Sequence, residues 1–159
     1  MTPYSAIFDS FKNLIIRDAA FLKDKPVDML ETRMVNLLRH GISKMVGVRD
    51  NKNLPINFYK VKDDATKTFA VDLNDFEIDL LAYFMYQCYL EEMSIVRINA
   101  LRANGFSDKE IKSFSTAELL DRYLKALNDV TGKNLDMLKQ YRRMDRDTFE
   151  YKRFDYIFN

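Results

Sequence analysis

Apolar residues along the chain fall into four runs at helical spacing, separated by stretches where that spacing is lost. The longest run follows Asn74: Phe76, Leu80, Leu81, Phe84, Cys88, Ile95 and Leu101 recur in near-helical steps, and Met85, Tyr89 and Met93 widen the surface. A helix apolar around so much of its circumference is enclosed by others. Asn74 and Glu77 stand in capping-box relation, and Gly105 supplies a stop, which predicts a helix over 75–103. At 1.5 Å per residue it runs about 42 Å, too long for a minimal bundle in a chain of this size unless a kink near 93–96 folds it.

The other runs are shorter or more one-sided. Tyr4, Ile7, Phe8, Phe11, Leu14 and Ile15 predict a helix over 4–17, with Thr2 as cap and Pro3 as first helical residue. Leu30, Met34, Leu37, Leu38, Ile42 and Met45 predict a second over 27–46. Gly41 lies inside it at a cost of ~1 kcal/mol relative to Ala, which implies either close approach of a neighbouring helix or a weakened turn. Ser107 and Glu110 open a short helix, and Ser115 and Glu118 open a long one over 116–142. In the long one Leu120, Leu124, Leu127, Thr131, Asn134, Leu138 and Tyr141 form a heptad seam with two polar seats. Gly132 beside those seats predicts a bend or break there.

Between 48 and 73 the helical pattern disappears. Ile56 to Val61 and Thr68 to Val71 are β-prone and flank the charged turn Lys62-Asp63-Asp64. A short hairpin is expected, one that needs packing or a partner strand to persist. The chain ends with Phe149, Tyr151, Phe154, Tyr156 and Phe158 interleaved with charge, their period of two broken by one slip, as in an extended arm with a bulge. The expected fold is therefore mainly α: a helical bundle with long central and C-terminal helices, a short β-prone insert and an extended C-terminal arm. At 159 residues it makes one domain. Its parts are a helix and link over 1–25, a helical core over 26–145 with the insert at about 48–73, and an arm over 146–159.

Composition narrows the function more than it identifies it. Net charge is +1, so bulk attraction to nucleic acid or to an anionic membrane is not expected. One cysteine rules out an internal disulfide framework and suits a reducing compartment. The first residues lack a basic region and an unbroken apolar run, so no signal peptide is expected, and no stretch has transmembrane length. Twelve Phe and nine Tyr without any Trp need burial, here or in a partner.

Candidate chemistry is sparse. His40 is the only histidine and has no Ser, Cys or second His at catalytic or metal-ligating spacing. Cys88 falls mid-helix on the apolar side, where nothing activates a thiolate. Asp50-Asn51-Lys52-Asn53 begins like a calcium loop but lacks its glycine and puts Lys in a ligand seat. Asp63-Asp64 and Glu91-Glu92 are read as solvated charge, and no phosphate-binding glycine motif occurs. No enzyme, metal or cofactor is expected. The basic residues Arg142, Arg143, Arg146, Lys152 and Arg153 are nearly cancelled by Asp145, Asp147, Glu150 and Asp155, which argues against nucleic-acid binding. A protein-binding arm suits the composition better, because aromatics and Arg are enriched at interface hot spots. Its contact residues are Arg146, Phe149, Tyr151, Arg153, Phe154, Tyr156, Ile157 and Phe158.

Three features in order carry a resemblance: the helical run MLETRMVNLLRHGISKM, the insert closing in FAVDLNDFEIDLLAYFM, and FSTAELL leading to a long helix and the aromatic tail. Together, over roughly 27–158, they resemble neck proteins of tailed bacteriophages that infect Gram-positive hosts, proteins that join portal to tail. The resemblance implies a head–tail connector, or adaptor. Such a subunit is made in the host bacterial cytoplasm and resides in the virion neck, with no active site to carry over. Its implied partners are copies of itself in a ring, the portal protein, and a downstream neck or tail-completion protein, with room for non-specific contact with genomic DNA. The N-terminal helix has no match in that pattern. The competing expectation is a small intracellular helical interaction or regulatory protein, for example a phage inhibitor of a host factor.

Overall fold

A computed structural model of the chain describes residues 1–15, 27–47, 54–103, 115–146, 148 and 150. In chain order the elements are β1 (Thr2–Pro3), α1 (Tyr4–Leu14), α2 (Val27–Gly47), α3 (Phe58–Val61), β2 (Lys62–Asp63), β3 (Thr68–Phe69), α4 (Asp75–Ala103) and α5 (Ser115–Arg143). The protein is mainly α with one small sheet. Helix α4 is the hub, and α1, α2 and α5 all pack on it.

Enclosure explains why α4 is apolar nearly all round. Leu80, Leu81, Ala82, Met85 and Tyr89 are fully buried, and Phe84 and Leu90 almost so. The helix starts where the capping box places it: the Glu77 N–H donates to Asn74 Oδ1 (2.9 Å), and the Asn74 N–H donates to Glu77 Oε2 (3.0 Å). It then runs unbroken through 93–96, where buried Ser94 donates to the Leu90 carbonyl (2.8 Å). Its length is accommodated by a partner, since α5 has the same 29 residues and packs along it. Ile95, expected on the buried face, is 58% exposed. The side chain of Leu101 lies outside the described residues.

Gly41 is where α2 meets α4. A Cβ there would lie 3.1 Å from the Met85 backbone nitrogen and 3.2 Å from the Phe84 carbonyl carbon. Of the two readings its position allowed, close approach is the one realised. Arg33–Glu92 (2.9 Å) and Lys44–Glu91 (2.7 Å) bridge the same two helices, so Glu91-Glu92 is engaged rather than merely solvated.

Helix α5 is also unbroken, across both polar seats and Gly132. The Thr131 hydroxyl donates to the Leu127 carbonyl (2.7 Å). Buried Asn134 donates to Gln87 Oε1 (2.8 Å) and to the Tyr83 carbonyl (3.2 Å) across the α4 contact. Its Oδ1 is buried without a hydrogen-bond partner among the described residues, so the seat is paired through the amide nitrogen alone. A polar seat of this kind fixes helix register without interrupting the helix. The C-terminal half of the expected seam packs as read, with Asn134, Leu138 and Tyr141 buried. Nearer the start of the helix the contact is rotated, Tyr123 and Val130 being buried while Leu124 is 40% exposed.

Two local expectations are overturned. Pro3 is not the first helical residue: its backbone is extended (φ −73°, ψ 151°), and Thr2–Pro3 pair antiparallel with Thr68–Phe69. Proline's fixed φ suits extended backbone as well as a first helical turn. Thr2 uses its hydroxyl to accept from the Leu73 N–H (2.7 Å) instead of capping α1, which ends at Leu14, short of 17. In the insert, Phe58–Val61 is a helical turn rather than a strand, because Asn57 caps it by accepting from the Lys60 N–H (3.3 Å). That turn carries Phe58 into the core against Phe69 and Tyr141, at ring-centroid distances of 6.3 and 6.2 Å. The hairpin survives in shorter form as β2–β3, and Lys62–Asp63 is one of its strands rather than its turn. Its partner strand is β1, giving the order β1-β3-β2. The expected short helix after Ser107 lies outside the described residues.

Candidate functional site

Segments 64 to 74 residues apart in sequence meet at the start of α4. Glu77, two residues into the helix, is fully buried. Its carboxylate accepts from Arg146 Nε (2.8 Å), from Arg146 Nη2 (3.2 Å) and from the Tyr141 hydroxyl. Arg146 also donates to the Asp72 carbonyl. Tyr141 stacks on Phe76 at 6.0 Å between centroids, so one turn of α4 grips the end of α5 by charge and by ring contact. Beyond α5 the chain turns back: the Asp145 N–H donates to the Glu150 carbonyl (2.8 Å), and the Thr148 N–H to Asp145 Oδ1 (3.1 Å). The site is thus a clasp at the root of the C-terminal segment.

Of the residues expected to form the arm's contact surface, Arg146 is held within its own subunit by Glu77. Phe149, Tyr151, Arg153, Phe154, Tyr156, Ile157 and Phe158 lie outside the described residues. The capping box was visible in sequence. Its use as an anchor for Arg146, 69 residues away, had no local signal.

A second feature is a groove of about 640 Å³ between α2 and α4, to which His40, Ser43, Lys44, Cys88 and Glu91 contribute. The fold brings His40 and Cys88 to one groove, which no sequence spacing foretold. Burial pushes the Cys88 thiol up to about 12; Lys44 pulls the other way, and Glu91 adds to the rise. At neutral pH the sulfur is a protonated thiol, without the thiolate that nucleophilic chemistry requires. Among the described residues no cluster of His, Cys, Asp and Glu is built to hold a metal. Nor, among the described residues, is any helix long and apolar enough to cross a membrane.

Asp63 and Asp64, expected to be solvated, hold the hairpin. Asp63 accepts from the Ala65 N–H (2.9 Å), and Asp64 accepts from the Tyr4 hydroxyl (2.9 Å), from Lys62 and from Arg39. Burial would raise the Asp64 carboxyl, but Lys62, Tyr4 and Arg39 outweigh it and hold it below the usual Asp value.

Tyr4 and Tyr141 are almost fully buried and donate to carboxylates. Burial first, then Asp64 or Glu77, pushes both hydroxyls well above the ordinary tyrosine value of about 10. With folded values above unfolded ones, their contribution to stability is complete below about pH 10 and is lost as pH rises beyond it. In a titration followed at 295 nm these two hydroxyls are expected to ionise only with unfolding. The Tyr4→Phe/Tyr141→Phe variant should show a shallower fall in stability above pH 10. An equal slope in parent and variant would refute this.

No family model, curated protein or solved structure matches the chain.

Proposed function

We propose that the chain is a structural subunit of a tailed-phage neck, a head–tail connector that binds the portal and forms a ring joining capsid to tail. The observation that carries this reading is the clasped root of an aromatic C-terminal segment. Residues 149–158 hold five aromatics, and the chain enters that segment from a fixed point on the bundle at Arg146. A rigid platform of two paired 29-residue helices supports the same reading, as does the sequence resemblance to neck proteins. The arm docks on a neighbouring subunit or on the portal. The nine residues beyond Glu150, if extended, reach roughly 30 Å, enough to meet a neighbour. The partners are copies of the chain, the portal, and a downstream neck or tail-completion protein. The subunit is made in the host cytoplasm and resides in the virion, and it is not an enzyme.

Deleting residues 148–159 tests this. The truncated chain is expected to stay folded and soluble, with helical content nearly unchanged, and to lose its assembly onto heads. Unfolding or precipitation of the truncated chain would instead assign the arm to the subunit's own core. Unimpaired assembly of the truncated chain would place the docking surface elsewhere than the arm. Failure of the full-length chain to join heads would favour the competing class, a small helical interaction protein acting away from the neck.

A further inference from the structure

We propose that Glu77, Tyr141 and Arg146, with the turn at Asp145, are positioning residues that fix where the C-terminal arm leaves the bundle, so that it meets its docking surface on a neighbour. This rests on the reading of the arm given above. The geometry is that of a directional fixture. An Arg engaging a carboxylate through two nitrogens sets both distance and plane. Arg146 does so on Glu77, itself held by the first turn of α4, while its Nη2 also reaches the Asp72 carbonyl. Immediately around it the Asp145 N–H meets the Glu150 carbonyl, the Thr148 N–H meets Asp145 Oδ1, and the Glu150 N–H meets Thr148 Oγ1 (3.3 Å). Among the described residues, Arg146 is tied to the start of α4, and Asp145, Thr148 and Glu150 are bonded to one another in a turn beside it.

Stability alone is a poor reason for such a site. Replacing a buried ion pair with apolar side chains of similar volume is often neutral or stabilising, and this core is already rich in aromatics and Met. On this proposal the charges at Glu77 and Arg146 serve to specify an arrangement.

The test uses the full-length Glu77→Met/Tyr141→Phe/Arg146→Met variant, which removes the charges and the hydroxyl but keeps most of the volume. Its thermal midpoint is expected to equal or exceed the parent's. Amide exchange at Asp145 and Thr148 should rise at least tenfold, while amides in the middle of α4 and α5 are unchanged. Assembly onto purified tailless heads should fall to the level of the 148–159 deletion. A role in stability alone predicts recovery of both midpoint and assembly. Slow exchange at Asp145 and Thr148, or assembly at the parent's level, therefore overturns the proposal. If the triple variant does not fold, Arg146→Lys decides, since it keeps the charge and loses the two-pronged grip. Impaired assembly by that folded variant supports the proposal, and unimpaired assembly overturns it. The deletion separates the two ideas. If the truncated chain still assembles, the arm reading fails and takes this proposal with it. If truncation abolishes assembly and the triple variant assembles, only the positioning role fails.

Discussion

Replacing Glu77 by Ala is expected to destabilise the fold by about 3–5 kcal/mol, the usual loss when one partner of a buried ion pair is removed. Three donors lose their acceptor at once: the Arg146 guanidinium, the Tyr141 hydroxyl and the Asn74 N–H. Tyr141 is 3% exposed, so water cannot freely replace the carboxylate there. The Arg146 side chain is 30% exposed and recovers part of its solvation, which places the effect toward the lower end. The other half of the capping box survives, because Asn74 Oδ1 still accepts from the backbone N–H of residue 77. Denaturant unfolding of parent and variant measures the difference. A loss below about 1 kcal/mol would mean that the clasp is already open to water and holds nothing.

The second large effect has a sign that helix propensity alone gets wrong. Gly→Ala in a helix interior ordinarily gains up to ~1 kcal/mol. At Gly41 the added methyl would stand 3.1 Å from the Met85 nitrogen and 3.2 Å from the Phe84 carbonyl carbon, both backbone atoms of the enclosed helix α4. Neither can swing aside as a side-chain tip does, so α2 must move off α4 and loosen the contacts of Leu38, Ile42 and Met45. Overpacking of this kind costs typically 1–3 kcal/mol, which outweighs the propensity gain. Gly41→Ala is therefore expected to destabilise, and Gly41→Leu to do so more strongly. Gly132 provides the internal control: it lies in an unbroken stretch of α5 with nothing within 4 Å of its would-be Cβ. There Gly132→Ala is expected to stabilise by up to ~1 kcal/mol. Chemical denaturation of both variants reads the two signs, and stabilisation by both would show that α2 and α4 are not in contact at Gly41.

These two sites mark how far the sequence could be read. What it determined by itself is whatever neighbours along the chain decide. The four helical runs follow from apolar spacing of three and four. The start of α4 follows from the three-residue separation of Asn74 and Glu77, whose bonds close within one turn. Close approach at Gly41 was one of two readings, because the residue type limits what fits while its neighbour lies elsewhere in the chain. What only the tertiary structure decided depends on how elements cross. Helix α5 carries adjacent apolar stripes, and packing on α4 buried Tyr123 and Val130 while leaving Leu124 at the surface. Phe58, β-prone by residue type, was drawn into a helical turn by the Asn57 cap and by rings at 69 and 141. Pro3 became strand because Thr68 lay beside it. Glu77 gained Tyr141 and Arg146 from 64 and 69 residues away, a pairing with no period or spacing to announce it. A box such as Asn74–Glu77 closes within one turn and can be read from residue type, whereas a buried carboxylate finds its cation only after the core has brought two distant segments together.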